Sequence, residues 1–177
     1  MKYLVKWGFR PGHYTLNLEE IDLSDSQLGF CKKYVDTIYP TEGLVFLAPP
    51  KKSIQLVSIL VKLLYTGNHF KNRVSIIDVP TVLLDNNFGY DYQDQRNRLK
   101  EDLVNSDLVV LNEVGLTKWS SAQRARLYTL LYERYERELP IFATHYGTSG
   151  GLEENIGAPN FFRIADTCKF LEIKEKE

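Results

Sequence analysis

The stretch Leu44-Val45-Phe46-Leu47-Ala48-Pro49-Pro50-Lys51-Lys52-Ser53 decides the fold, because it joins a short apolar segment directly to a lysine–serine pair. Residues 43–47 are apolar, which is typical of a strand that is covered on both faces. From Ser53 onward, apolar residues recur at helical spacing until Gly67; they are Ile54, Val57, Leu60, Val61 and Leu64. The stretch therefore predicts a buried strand, a tight turn and a helix that begins near Ser53.

Strand, turn, Lys-Ser and helix is the layout of a phosphate-binding P-loop, but the turn departs from the pattern G-x-x-x-x-G-K-[ST]. Ala48 stands where the first glycine should be, and Lys52 follows it after four steps instead of six. A P-loop holds phosphate because flexible glycine backbone turns several N–H groups toward the oxygens, and a proline has no N–H to offer. The sequence thus predicts a nucleotide site that has lost much of its anion cradle. Its candidate nucleotide-binding residues are Ala48, Pro49, Pro50, Lys51, Lys52 and Ser53.

The composition is that of an ordinary globular protein. The chain has 177 residues, of which 44% are apolar and 25% charged, and its formal net charge is −1. This size predicts one domain, and this charge excludes a protein that binds nucleic acid through an overall basic surface. Cys31 and Cys168 are too few for a disulfide framework. The sequence has neither a signal-peptide pattern nor an apolar run of membrane-spanning length, so we expect a cytoplasmic protein without a membrane partner.

Apolar periodicity predicts strands that alternate with helices. The strands are expected at residues 43–47, 73–79, 107–113, 139–144 and 168–173. The helices are expected at residues 26–39, from 53 to 66, 93–105, 120–137 and 159–166, with one or two helical turns at 152–157 after a flexible loop at 147–151. Four residues of the long helix are core candidates: Leu127, Leu130, Leu131 and Tyr135. Such alternation predicts a three-layer α/β/α fold with a five-stranded, mainly parallel sheet.

We expect residues 1–177 to form a single domain, with a lead-in segment at 1–26 and a charged tail at 174–177. Polar residues follow three of its predicted strands: Lys52-Ser53, Asn112-Glu113 and Thr144-His145. In parallel sheets, ligands bind at the carboxyl ends of the strands. The three pairs are therefore expected to lie close together, which supports a nucleotide site independently of the motif.

Three segments resemble the DnaC/DnaI-type helicase loaders, a branch of the AAA+ ATPases, and they occur in the same order and at the same spacing. They are DLVVLNEVG at 107–115, LYTLLYER at 127–134 and LPIFAT at 139–144. They are similar to the family's D-L-L-I-I-D-D-L-G, L-x-x-L-I-x-x-R-Y and L-P-T-I-I-T-S-N. The resemblance covers about residues 9–173. It implies a P-loop NTPase (AAA+-like) fold without a lid domain, and a DNA replication protein that binds a replicative helicase or a AAA+ loader ring.

The resemblance also implies roles at the nucleotide site, with ATP and Mg²⁺ as the cofactors. Lys52 would contact the β- and γ-phosphates, Ser53 and Asn112 would hold Mg²⁺, and Glu113 would polarise the attacking water. His145 takes the place of the family's sensor asparagine. Arg163 takes that of the arginine finger, which reaches the nucleotide of a neighbouring subunit.

The departures from the family pattern fall in this same site. The loop is short, Asn112 replaces a carboxylate and binds Mg²⁺ less well, and His145 replaces an asparagine. These departures favour a pseudo-ATPase that keeps the fold and acts by binding. The alternatives are an active Mg-ATP-dependent loader, and a nucleotide-independent decoy that caps a AAA+ ring as part of a homo- or hetero-oligomer.

A third alternative is a single-stranded DNA binder. The polar segment 85–98 carries aromatic rings followed by arginines, a combination that suits stacking on unpaired bases. Its acidic residues, Asp85, Asp91 and Asp94, oppose contact with phosphate. The candidate DNA-binding residues are Phe88, Tyr90, Tyr92, Arg96 and Arg98.

Overall fold

The computed structural model describes residues 17–37, 41–67, 69–70, 73–79 and 104–173. Its strands are β1 (Gly43–Leu47), β2 (Val74–Asp78), β3 (Leu108–Asn112), β4 (Ile141–His145) and β5 (Cys168–Glu172). Its α-helices are α1 (Asp25–Val35), α2 (Pro50–Thr66), α3 (Ser121–Tyr135), α4 (Ser149–Ile156) and α5 (Ala158–Thr167), and a short 3₁₀ helix spans Leu18–Glu20.

The five strands form one sheet in the order β2-β3-β4-β1-β5, and all neighbouring strands are parallel. The carboxyl ends of the strands are level with one another, since Leu47 pairs with His145 and Asp78 with Asn112. The predicted five-stranded parallel α/β sheet is confirmed.

β1 is buried throughout because each of its faces meets a separate hydrophobic cluster. Leu44 and Phe46 pack into a cluster that contains α2 residues, among them Leu56, Leu60 and Leu64. Val45 and Leu47 pack into the cluster on the other face, which contains Leu127, Leu131, Ile156 and Ile164 from α3, α4 and α5. This alternation makes β1 the centre of a three-layer α/β/α structure.

α2 begins at Pro50, so the prediction that it begins near Ser53 is wrong by three residues. Proline fits the first position of a helix because its fixed φ suits the helix and its missing N–H would have no partner there. Pro49 is the residue that precedes the helix, and it offers no side-chain cap. The connection from β1 to α2 is therefore only two residues long, Ala48 and Pro49.

Two of the other helices, α1 and α3, begin with a serine N-cap. Ser24 and Ser120 each accept a hydrogen bond from the backbone N–H three residues later, and the side-chain oxygens of Gln27 and Gln123 accept one from the serine backbone N–H. These capping boxes satisfy backbone donors at both helix starts.

α3 buries a charged residue where an aromatic one was expected. Leu127, Leu130 and Leu131 are buried as predicted, but Tyr135 is 42% exposed, so the prediction of a core tyrosine is wrong. The inward face continues instead to Arg134, which lies one turn after Leu130 and Leu131 and has no exposed surface. Its guanidinium donates to three carbonyl oxygens: those of Ser106 at 2.9 Å, Asp107 at 3.4 Å and Pro140 at 2.8 Å.

Other boundaries also differ from the predictions. α1 ends at Val35, four residues before the predicted end, and α4 already begins at Ser149, within the stretch expected to be a flexible loop. The DNA-binding candidates Phe88, Tyr90, Tyr92, Arg96 and Arg98 lie outside the described residues, as do segments 1–16 and 174–177 and nearly all of the predicted helix 93–105. In the part of the chain that the structure describes, no helix is long and apolar enough to cross a membrane.

Candidate functional site

The structure brings several of the predicted site residues together at the carboxyl edge of the sheet. Ser53 of α2, Glu113 after β3, and Thr144 and His145 of β4 line one cavity, together with Ala48 and Pro50. The backbone ties these strand ends to each other. The Ala48 N–H donates to the His145 carbonyl at 3.1 Å, and the Val114 N–H donates to the Thr144 carbonyl at 2.9 Å.

The β1–α2 connection leaves few groups that could hold an anion. The Ser53 N–H donates to the Pro49 carbonyl at 2.9 Å, and the Ser53 hydroxyl donates to the Pro50 carbonyl at 3.0 Å. The first helical position, Pro50, has no N–H. The first-turn donors that an anion could use are therefore the N–H groups of Lys51 and Lys52 alone, whereas a glycine-rich loop presents several.

The Lys52 ammonium points to a carboxylate and not into this cavity. Its Nζ lies 3.3 Å from Oδ2 of Asp22, and the two side chains are 23% and 42% exposed. Asp22 follows the 3₁₀ helix and precedes α1. No pattern in the sequence marks Asp22 as a partner of Lys52, because the two residues are thirty positions apart and belong to no shared motif.

A threonine hydroxyl connects Asn112, the last residue of β3, with Glu113, the residue that follows it. Thr144 Oγ1 donates to Oδ1 of Asn112 at 2.9 Å and accepts from the Glu113 N–H, also at 2.9 Å. The amide oxygen that the resemblance assigns to Mg²⁺ is thus already a hydrogen-bond acceptor. Asn112 is held in place by this bond, which the sequence alone did not reveal.

Glu113 adopts a backbone conformation that is uncommon for its residue type. Its φ is +58°, in the left-handed region, although it carries a side chain. This region costs an L-residue with a Cβ about 1 kcal/mol relative to glycine. Residues held in such conformations often belong to functional sites, and here the bond from the Glu113 N–H to Thr144 helps to maintain it.

His145 is buried, with only 4% of its surface exposed. Its Nδ1 lies 2.8 Å from the Val114 carbonyl oxygen, so Nδ1 carries the proton and donates it to that oxygen. Burial lowers the pKa of His145, and the hydrogen bond to Val114 partly opposes this shift. The ring is therefore neutral near pH 7, and its Nε2 can accept a hydrogen bond but has no proton to donate to a phosphate.

Nε2 of His145 faces the turn after β4. Gly147 has a φ of +143°, and a Cβ at this position would lie 2.9 Å from Nε2. A side chain there would be both strained and too close to the ring. Gly147 is thus what allows His145 to occupy the end of β4.

Arg163 lies elsewhere, on α5, against an exposed row of tyrosines on α3. Its guanidinium carbon is 5.4, 5.0 and 4.8 Å from the ring centres of Tyr128, Tyr132 and Tyr135, and Nη2 donates to the Tyr128 hydroxyl at 3.2 Å. That hydrogen bond raises the pKa of Arg163, so its charge is secure. We call Tyr128, Tyr132, Tyr135 and Arg163 the tyrosine–arginine surface.

The site as the structure presents it does not fit Mg-ATP. The cavity beside Ser53 and Glu113 has a volume of about 20 Å³, which is enough for a water molecule. A cavity of about 260 Å³ lies next to it, and Glu172 is among the residues that line it. Among the described residues, no group of three or more His, Cys, Asp or Glu side chains could hold a metal ion.

Comparisons with known proteins place the fold. No protein-family model matches the sequence, and a search of curated proteins finds no significant match. The crystal structure of the DnaC helicase loader superposes with a TM-score of 0.76 at 18% identity, over 93% of this chain and 100% of that chain. DnaI gives a TM-score of 0.76 at 18% identity, over 94% and 95% of the two chains.

The replication initiator DnaA, bound to AMPPCP and single-stranded DNA, gives a TM-score of 0.72 at 11% identity. This match covers 94% of the present chain and 51% of the DnaA chain. Together these likenesses show that the chain shares the α/β fold of the DnaC and DnaI helicase loaders and of DnaA, in agreement with the AAA+-like fold that the sequence predicted.

Proposed function

We propose that this chain is a helicase-loader-like protein of DNA replication that acts by binding, without ATP hydrolysis. Its partner would be a replicative helicase or the ATPase ring of a loader. The observation that carries the proposal is a loader-like fold whose β1–α2 connection offers few groups that could hold phosphate. The β1–α2 connection is two residues long, Lys52 is paired with Asp22, and the remaining cavity is about 20 Å³.

The place in DNA replication is inferred from what the similar structures are. Two are helicase loaders and a third is a replication initiator. The resemblance of segments 107–115, 127–134 and 139–144 to the loader family points the same way. We take residues 1–177 as a single cytoplasmic AAA+-like domain, and ATP and Mg²⁺ as ligands of the family that this chain has largely given up.

The tyrosine–arginine surface is the best candidate for the partner contact. Tyr128, Tyr132 and Tyr135 are 39%, 43% and 42% exposed, which is high for large rings on one helix face. Tyrosine and arginine are among the residue types that are enriched in protein interfaces and in their hot spots. Among the described residues, Arg163 forms no salt bridge, so its charge is available to a partner.

Two titrations test the proposal. The first is calorimetry of the protein with Mg-ATP, beside a Lys52→Ala variant. The second measures binding to the purified replicative helicase of the source organism, with and without ATP. We expect no heat up to millimolar ATP, and a helicase complex whose affinity is the same in both conditions. Micromolar ATP binding that Lys52→Ala abolishes would contradict the pseudo-ATPase, and absence of a helicase complex would contradict the loader-like role.

The left-handed Glu113 favours a second candidate, an ATPase whose connection at 48–50 rearranges to admit Mg-ATP. Strain is commonly kept at a catalytic position because it has a use there. This candidate predicts phosphate release that stops in a Glu113→Gln variant, measured on the protein in complex with the helicase.

A further inference from the structure

A phosphate group that binds Lys52 would have to compete with the carboxylate of Asp22. Its Oδ2 lies 3.3 Å from the Lys52 ammonium, which is the group that a bound phosphate would need. The backbone on either side of Asp22 is fixed. Ile21 is buried in the core cluster that includes α2, and the Leu23 N–H donates to the Ile21 carbonyl at 2.8 Å.

The following residue adds to this fixation, because Ser24 opens the capping box of α1. Asp22 is thus held between a buried residue and a helix cap, close to the first turn of α2. Its position does not depend on the ion pair itself, which is partly exposed and therefore weak.

We infer that Asp22 determines the ligand specificity of the Lys52 site, as a built-in anion that excludes phosphate. The inference rests on the proposed function, since it concerns the same degenerate nucleotide site. A phosphate group approaching Lys52 must displace the Asp22 carboxylate or remain within a few ångströms of a like charge. Both alternatives weaken binding. Displacing the carboxylate breaks its ion pair with Lys52, and remaining near it brings two negative charges within a distance at which they repel.

The inference separates two causes of lost nucleotide binding. The short connection removes backbone donors, whereas Asp22 removes the free lysine charge. Neutralising Asp22 restores the free lysine charge but not the backbone donors. The ligand used in the test should therefore be rich in phosphate and should not need a pocket for a nucleotide base. Inorganic tripolyphosphate is such a probe.

The test is calorimetric titration of tripolyphosphate into the native protein and into an Asp22→Asn variant at low ionic strength. Removal of the carboxylate is expected to tighten binding about tenfold. Asp22→Asn changes the shape of a partly exposed side chain very little, and Asp22→Ser is a second variant in case the amide finds a new bond to Lys52. The melting temperature of each variant verifies that it is folded.

A matched control comes from a neighbouring ion pair. Glu19 and Lys32 are 2.8 Å apart, with side chains that are 59% and 51% exposed, so Glu19→Gln removes the same charge nearby without freeing Lys52. We expect Glu19→Gln to change tripolyphosphate binding less than twofold. In the double variant with Asp22→Asn and Lys52→Ala, the gain should disappear.

Three results would overturn the inference: unchanged binding in both Asp22 variants, equal tightening by Glu19→Gln, or a gain that survives Lys52→Ala. Helicase binding is measured separately on the same variants. Failure of the native protein to bind helicase would contradict the proposed function. Tighter tripolyphosphate binding by Asp22→Asn would still support the role of Asp22 in that case.

Discussion

At the scale of single residues, the left-handed backbone of Glu113 gives a prediction that does not depend on its chemistry. Glu113→Gly and Glu113→Ala both remove the carboxylate, but only glycine adopts a φ of +58° without steric cost. We expect the glycine variant to be more stable than the alanine variant by about 1 kcal/mol in urea unfolding. At a position with an ordinary negative φ the order would be the reverse.

Glu138 supplies the control, because its φ is +54° and it lies in the turn after α3, away from the site. Glu138→Gly should likewise be more stable than Glu138→Ala by about 1 kcal/mol. If Glu113→Ala proved as stable as Glu113→Gly while the Glu138 pair differed, the turn after β3 would relax in the variant and the strain at Glu113 would not be fixed by Thr144.

His145 predicts how stability changes with pH. Burial, its largest influence, lowers the pKa of His145 in the folded protein, so the unfolded chain binds a proton first as the pH falls. The contribution of neutral His145 to the free energy of unfolding is complete above the unfolded pKa of about 6.5. It is lost as the pH falls below that value toward the pKa of the folded protein. The loss cannot exceed about 1.4 kcal/mol per pH unit. Urea unfolding at several pH values between 8 and 5 measures it.

The matched variant is His145→Asn, because the chain's other histidines remain in both proteins and contribute equally to both curves. The free energy of unfolding of the native protein should fall more steeply below pH 6.5 than that of His145→Asn. Parallel curves for the two proteins would mean that His145 is protonated in the fold as readily as in the unfolded chain.

At the scale of secondary-structure elements, Arg134 is the residue through which α3 holds the sheet. Its guanidinium donates to carbonyl oxygens that flank the starts of β3 and β4. Burial lowers the pKa of Arg134 to about 10, so it is charged at neutral pH despite the desolvation. Arg134→Met keeps much of the volume but leaves buried carbonyls unpaired, and we expect a loss of about 3 kcal/mol in urea unfolding.

Arg126 is the matched control, because it lies on the exposed face of the same helix. Arg126→Met should change the free energy of unfolding by less than about 0.5 kcal/mol. An Arg134→Met protein as stable as Arg126→Met would show that water or a shifted backbone satisfies those carbonyls, and that Arg134 does not secure the strand starts.

The elements also show which features a sequence can predict. β1 and β3 were found because each has an unbroken apolar run that two helical layers bury. The start of α2 was missed because prolines read as a turn, although Pro50 also fits the first position of a helix. Tyr135 was predicted to be buried in place of Arg134, because apolar periodicity does not reveal a buried charge that is compensated by backbone carbonyls.

At the scale of the whole molecule, the scaffold and the site depend on different interactions. The sheet and its two hydrophobic clusters are made by apolar residues and backbone pairing, and none of these contacts requires a phosphate. The location of the site could be predicted, since the carboxyl ends of parallel strands lie at the same edge of the sheet. Its pairings were not, because Asp22 with Lys52 and Thr144 with Asn112 join residues about thirty positions apart.

This separation predicts that the nucleotide site can be rebuilt without disturbing the fold. The rebuilt loop has Gly in place of Ala48 and five residues ending in glycine in place of 49–51, which restores the six-step spacing to Lys52. We expect calorimetry to show at least tenfold tighter Mg-ATP binding by this variant, because the new backbone N–H groups face the phosphates. Thermal unfolding should be nearly unchanged.

Hydrolysis should need a second change, Asn112→Asp, because a neutral amide oxygen holds Mg²⁺ less well than a carboxylate. Thr144 can donate to the new carboxylate as it does to the amide, so the side chain should keep its position. Phosphate release is therefore expected only when the rebuilt loop and Asn112→Asp are combined. Turnover by Asn112→Asp with the native connection would instead mean that Pro49 and Pro50 do not close the phosphate site, and that the lost carboxylate alone silenced the enzyme.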